Sequence, residues 1–442
     1  MSDINIQQAL LSENLLLLKE LGYVYPELKS PPFHKTIQIE LELLDTIASV
    51  LSTGCGDAFA AAFDKGHGFI ELILAKSDKR TIADEEFASS FLAHIIDPNV
   101  KNATDIFPFL LKHRRACLNM RMKKLHAISI DTKFNQYFHS LLDHYVAECK
   151  DPSLEVQFPR RHSIFDKDKD YHTLLKEYLI QTQSYSEEDL DESALAAWDT
   201  FFNLYIFSET LTGSAFMQEL KSYSVQSNLG RKARKFIRHA EKIGHYTRGV
   251  TCLLQYAKRL FRSRLVIPHR WIEDTFTGTG EGRIQFQANN AYDVACRIRG
   301  TNPLPAKHSD NLDNAYPSNR EPWQPLFASL HPEIRIILSS LEPKEQRGEI
   351  SRAIGLSKQP CVGCMFWIKY YNRGMSTRWV MNGFCGKPDP TFALPGEADP
   401  VNSYPTDNFS CEGNFVDPYV ERDVYMKLVN QLQWFLKRGS RY

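Results

Sequence analysis

The sequence predicts an all-α domain over residues 1–262 followed by an α/β layered domain over residues 263–442, and three observations carry that prediction. At 442 residues the chain exceeds the roughly 250 to 300 residues at which single cores stop growing, so at least two domains are expected. Up to about residue 262 apolar residues recur every three or four positions, with few strand-like alternations. Beyond it the composition changes: 14 of the 22 prolines lie from Pro303 onward, and short β-type runs alternate with helical patterns.

In the first region Ser12 is placed to cap a helix over residues 15–21, which Gly22 ends. Ser186, followed by Glu187, Glu188 and Asp189, opens another helix through Trp198 toward residue 207; the acidic run 187–192 reads as a helix start in water. Residues 231–264 hold eleven lysines and arginines against one acid, Glu241. Two readings stand for this segment, a phosphate-contacting face for nucleic acid and a solvated helix face balanced by acids elsewhere. Its aromatics Phe236, Tyr246, Tyr256 and Phe261 fall at helical spacing and are expected to face a core rather than stack on bases.

In the second region strands are expected at 264–271, 283–287, 353–357 and 378–382, with helices after His331 and after Pro360. A closing helix is marked by Asp417 as cap, Pro418 in its first turn and an apolar stripe of Val420, Val424, Leu428, Leu432 and Phe435 before Gly439. Residues 297–325 and 386–418 read as loops, the second suited to shaping access to a site.

Composition excludes several classes. The 53 basic and 53 acidic residues cancel, so net charge points to no polyanionic or membrane partner. No apolar run approaches the roughly 18 to 20 residues of a spanning helix, and the start lacks a basic region followed by an apolar stretch. An intracellular protein, cytoplasmic or nuclear, is the expectation, with no membrane partner. Nine cysteines form no disulfide framework; only Cys361 and Cys364 make a close pair.

Those two cysteines belong to the strongest chemical signal. His331-Pro332-Glu333 is followed, 27 residues after the glutamate, by Pro360-Cys361-Val362-Gly363-Cys364, the H-x-E…P-C-x-x-C pattern of zinc deaminases. One imidazole and two thiolates are a ligand set for a catalytic Zn2+ that leaves its fourth position open. Pro332 suits a first helical position and puts His331 at a helix mouth, while Pro360 precedes a helix that begins with both cysteines on one face. Helix N-termini favour thiolates, so the metal ligands are expected to be His331, Cys361 and Cys364. Glu333 points into the same pocket as the catalytic residue, moving protons between the activated water, the ring nitrogen and the departing ammonia. The competing reading is a closed structural site with a fourth ligand from Cys385, Cys411 or His308; Cys385, after the strand at 378–382, is the foremost of these.

The region from His331 to Pro395 resembles the nucleotide or nucleic-acid deaminases found widely in fungi, a branch of the cytidine-deaminase-like superfamily. The resemblance rests on His331-Pro332-Glu333, on the run from Ile354 to Cys364, and more weakly on Gly386-Lys387 followed by Phe392 and Pro395. It implies a three-layer α/β/α cytidine-deaminase-like domain, zinc on His331, Cys361 and Cys364, and Glu333 as proton shuttle. The chain departs from the family pattern at Pro332, where Ala is more usual, at Cys385, where His precedes Gly-Lys, and at Phe392, where Trp is expected.

The expected function is zinc-dependent hydrolytic deamination of a cytosine- or adenine-type base in a nucleotide or nucleic acid. The alternative is a catalytically inactive, zinc-stabilised binding or scaffold module. For substrate contacts, Trp379, Phe384 and Phe392 either stack on a base or belong to the core, the latter being favoured; Asn289 and Asn290 either read a ring edge or make a turn, which is favoured.

Overall fold

The computed structural model describes residues 3–25, 34–52, 57–65, 70–159, 170–183, 211–222, 228–261, 266–272, 280–301, 321–340, 351–375, 377–383, 386–396 and 416–439. The chain forms two compact units, one of Met1–Ala48, Ala58–Thr81 and Pro268–Tyr442, the other of Ser49–Asp57 and Ile82–Ile267. The composition change predicts instead a single division at 262/263. Among the described residues no helix is long and apolar enough to cross a membrane.

The first unit is built on strands β1 (Phe59–Asp64), β2 (Glu71–Lys76), β3 (His269–Trp271), β4 (Gly282–Ile284), β5 (Leu326–Ala328), β6 (Ser351–Leu356) and β7 (Arg378–Val380). Five of them make one mixed sheet in the order β3-β2-β1-β6-β7, and β4 and β5 form a separate antiparallel pair. β1 is antiparallel to both β2 and β6, whereas β2–β3 and β6–β7 are parallel. Strands therefore occupy 59–64 and 71–76, where an all-α region was expected. The cause lies in β1, Phe-Ala-Ala-Ala-Phe-Asp: alanines favour helix in isolation, but a central strand covered on both faces takes small side chains wherever helices approach closely. Ala60, Ala61 and Ala62 are all buried.

Helices cover both faces of this sheet. On one, Ala60, Ala62, Ile73, Ala75 and Ile354 join a core that takes in the helices Asp3–Glu20, Pro332–Ser339, Val362–Met375 and Val416–Gly439. On the other, Gly355 meets the helix Lys35–Leu51 so closely that a Cβ there would stand 2.0 Å from the Leu44 carbonyl carbon. Asp45 of that helix accepts hydrogen bonds from the Leu356 amide at 2.7 Å and from Asn382 Nδ2 at 2.7 Å, tying helix, β6 and the end of β7 together.

Two helix boundaries differ from expectation. The first helix starts at Asp3, so Ser12 is an interior, buried residue whose Oγ accepts from Gln8 Nε2 at 3.1 Å rather than a cap. Its end is as expected: Gly22 takes φ +66°, and the Tyr23 amide returns to the Leu18 carbonyl at 3.0 Å. Asp417 lies inside the closing helix and accepts from the Gly396 amide at 2.9 Å, holding the preceding segment instead of capping its own element. Val420, Val424, Leu428 and Leu432 are buried as the stripe requires. The helix Ala291–Thr301 enters the stretch expected to be loop, and the helix expected from Ser186 lies outside the described residues.

The second unit is helical. Phe134, Phe138, Phe216 and Phe236 form its aromatic core, with Phe138 and Phe216 edge to face at 5.2 Å. Within the basic segment, the helices Asn228–Gly244 and Val250–Leu260 flank a π-helical turn, His245–Gly249. Phe236, Tyr246 and Phe261 are buried, as their spacing implied.

Candidate metal centre

The two halves of the motif meet at neighbouring helix N-termini. His331 has extended dihedrals (φ −69°, ψ 146°) and occupies the N-cap of Pro332–Ser339, where Pro332 fits because a first-turn position needs no amide donor. Cys361 immediately precedes Val362–Met375, and its carbonyl accepts the first helical bond, from the Met365 amide at 3.0 Å. Cys364, one turn in, projects on the same side, and its amide donates to Cys361 Sγ at 3.5 Å.

His331 Nδ1 lies 3.0 Å from Cys364 Sγ and 3.7 Å from Cys361 Sγ, and the two sulfurs are 3.6 Å apart. A triangle with those edges has its centre about 2.0 Å from each corner, a spacing that would suit zinc–nitrogen and zinc–sulfur lengths of about 2.0 to 2.3 Å. Among the described residues, these three side chains are the group of donors close enough to hold a metal ion. Cys385, Cys411 and His308, the candidate fourth ligands, lie outside the described residues, as does Phe384.

The electrostatics suit a cation. Burial works to lower the His331 pKa, but the Cys361 thiolate, Glu333 and Asp389 outweigh it and raise it to about 10. Burial works to raise the Cys361 thiol, and the hydrogen bond from Cys364 with the His331 charge brings it down to about 6. Burial, a hydrogen bond to the Cys361 thiolate and the nearby Glu333 together push the Cys364 thiol well up. The group thus holds protons that a metal ion would replace. Glu333 is buried, 3% exposed, on the first turn of the His331 helix and beside Cys364.

Around the donors stand residues the sequence did not single out. Asp389 Oδ2 is 3.9 Å from His331 Nε2, on the far side of the ring from the sulfurs. Burial works to raise its pKa, but His331 and hydrogen bonds from Thr391 hold the carboxyl below its ordinary value. Phe392 sets the ring's tilt, edge to face with His331 at 5.7 Å and 86°. It reaches there because Gly363 has no side chain; a Cβ would stand 2.6 Å from the Phe392 ring. Phe392 is fully buried and Trp379 7% exposed, so both are core residues. Asn290 Oδ1 accepts from the Tyr292 amide at 2.9 Å at the start of Ala291–Thr301, while Asn289 is exposed and its carbonyl accepts from the Trp323 amide.

The segment after β7 closes over the cysteine helix. The Lys387 carbonyl accepts from the Val362 amide at 3.0 Å, and Gly386 (φ +62°) brings its carbonyl to the Tyr25 amide at 2.6 Å. A Cβ on Gly386 would stand 2.5 Å from the Tyr25 oxygen, so a glycine is needed there for the backbones to approach.

No family model matches the chain, and no curated protein or solved structure matches it.

Proposed function

We propose that the chain is a zinc-dependent hydrolytic deaminase of a cytosine- or adenine-type base, belonging with the fungal nucleotide or nucleic-acid deaminases of the cytidine-deaminase-like superfamily that its motifs resemble. The observation that carries this reading is the convergence of His331 Nδ1, Cys361 Sγ and Cys364 Sγ with a buried Glu333 alongside. A redox C-x-x-C pair needs neither the histidine nor the carboxylate. The helix-covered sheet that presents the donors from two adjacent helix N-termini is compatible with the three-layer architecture the resemblance implies.

His331, Cys361 and Cys364 would hold the zinc, with Asp389 and Phe392 orienting the imidazole. Bound there, zinc supplies Lewis acidity that makes water a nucleophile near neutral pH. Glu333 is not among the grouped donors, which would free its carboxylate to carry one proton from water to the ring nitrogen and a second, from the added hydroxyl, to the amine that leaves as ammonia. Its burial keeps bulk water from competing for that proton. The basic segment 231–264 would favour nucleic acid over a free base as the substrate.

The test is ammonia release from a panel of bases, nucleosides, nucleotides and oligonucleotides, with zinc content measured in parallel. Wild-type protein is expected to release ammonia from at least one cytosine or adenine compound. Glu333→Ala should keep its zinc and lose turnover by about 10²- to 10⁴-fold. Zinc-loaded wild-type protein that deaminates nothing in the panel would replace this reading with the zinc-stabilised scaffold.

A further inference from the structure

We infer that Glu281, through a buried pair with Arg335, is a positioning residue for the metal ligand His331 and sets the affinity of the centre for zinc. The inference rests on the metal reading above and adds to it a residue that is no ligand and lies fifty positions away in sequence.

Glu281 Oε1 accepts two hydrogen bonds, from the Leu330 amide at 2.5 Å and from Arg335 Nη2 at 2.7 Å. Arg335 Nε in turn donates to the Leu330 carbonyl at 3.2 Å. Both polar groups of Leu330, the residue immediately before His331, are therefore held by one ion pair whose side chains are 9% and 10% exposed. Arg335 itself sits one turn along the same helix, its amide bonded to the His331 carbonyl at 3.2 Å. The pair thus brackets His331 from both sides, fixing the peptide planes that aim its imidazole.

Neighbouring backbone is arranged to deliver the carboxylate. β4 pairs with β5 so that Gly282 lies opposite Ala328, which places Glu281 beside the 329–331 link into the His331 helix. Gly282 takes φ +141°, a conformation that side-chain-bearing residues rarely adopt. A buried ion pair is a poor source of stability compared with apolar side chains of the same volume, so directionality accounts for this one better than cohesion does. Partners behind a metal-ligating histidine typically alter metal affinity by about 10- to 100-fold when removed.

The experiment is zinc competition against a chromophoric chelator at neutral pH on the full chain. Wild type is compared with Glu281→Ala, Glu281→Gln, Arg335→Lys and the ligand control His331→Ala, and melting is followed in chelator and in saturating zinc. Glu281→Ala is expected to weaken zinc by about 10- to 100-fold. Glu281→Gln, which keeps an oxygen for the Leu330 amide but loses the charge facing Arg335, should fall between it and wild type. If Glu281→Ala does not fold, Glu281→Gln and Arg335→Lys carry the test. Folded variants that melt early yet bind zinc as tightly as wild type would reduce the pair to a structural contact and overturn the inference, as would failure of all three to fold. Wild-type affinity in His331→Ala would instead remove the metal reading itself, and the inference with it.

Discussion

His331 faces different partners with its two ring nitrogens, sulfurs at Nδ1 and the Asp389 carboxylate at Nε2, and this decides how the centre responds to pH. Without metal, His331 is protonated up to about pH 10 and the Cys364 thiol stays neutral, while Cys361 is already a thiolate above about pH 6. Zinc binding near pH 7.5 must then expel the His331 and Cys364 protons, so about two protons should be released per ion, rising toward three below about pH 6. Affinity should climb as pH rises across this window. An indicator dye in weakly buffered solution reads the count directly; fewer than one proton per ion would contradict the assigned ligand set. The donors were legible in the sequence because two short motifs each fix residue types at set spacing. Asp389 and Glu281 were not, because a single carboxylate among 53 acidic residues carries no spacing signal; each gains meaning only from the atom it faces.

At the scale of elements, close approach of backbones governs where the helices rest. Gly355 in β6 lies against Leu44 and Asp45 of the helix Lys35–Leu51, with backbone atoms where any side chain would stand. Gly355→Ala has no flexible neighbour to displace, and it is expected to destabilise by about 1 to 3 kcal/mol or more, as overpacking does. Denaturant unfolding would measure it; a stability within 0.5 kcal/mol of wild type, about the range of neutral surface changes, would show that the helix shifts freely. The helices after His331 and Pro360 were readable from proline placement, and the closing helix from its apolar period. β1 and β2 were not. Their alanines and leucines fit a helical period as well as a strand, and only pairing with each other, with β6 and with β3, together with covering by helices on both faces, selects the strand. β5 is only three residues long, too short for any period to register.

At the scale of the whole molecule, part of the local excess of positive charge lies on one stripe of the helix Asn228–Gly244. In Asn228–Gly244 the buried Ala233, Phe236, Ile237, Ala240 and Ile243 mark the inner face, while Arg231 and Lys235 are exposed and Arg238 lies on the same outer stripe. Lys232 is partly drawn off to Asp131 at 2.5 Å. Binding of a single-stranded oligonucleotide to the full chain is expected to weaken with salt. Changing Arg231, Lys235 and Arg238 to Gln should reduce the salt slope by about 1 per lost phosphate contact. Unchanged affinity and slope would return the segment to a solvated helix face.

The sequence by itself picked out the donor group His331, Cys361 and Cys364 and the helix N-termini that present it, since proline placement and C-x-x-C spacing are local matters settled within a few residues. Tertiary structure alone decided that residues 59–76 supply the middle of the sheet, that Phe392 is core rather than rim, and that Glu281, Arg335 and Asp389 stand behind His331. Strand pairing, burial and ion pairs join residues tens to hundreds of positions apart, and no local period records which partner folding will bring.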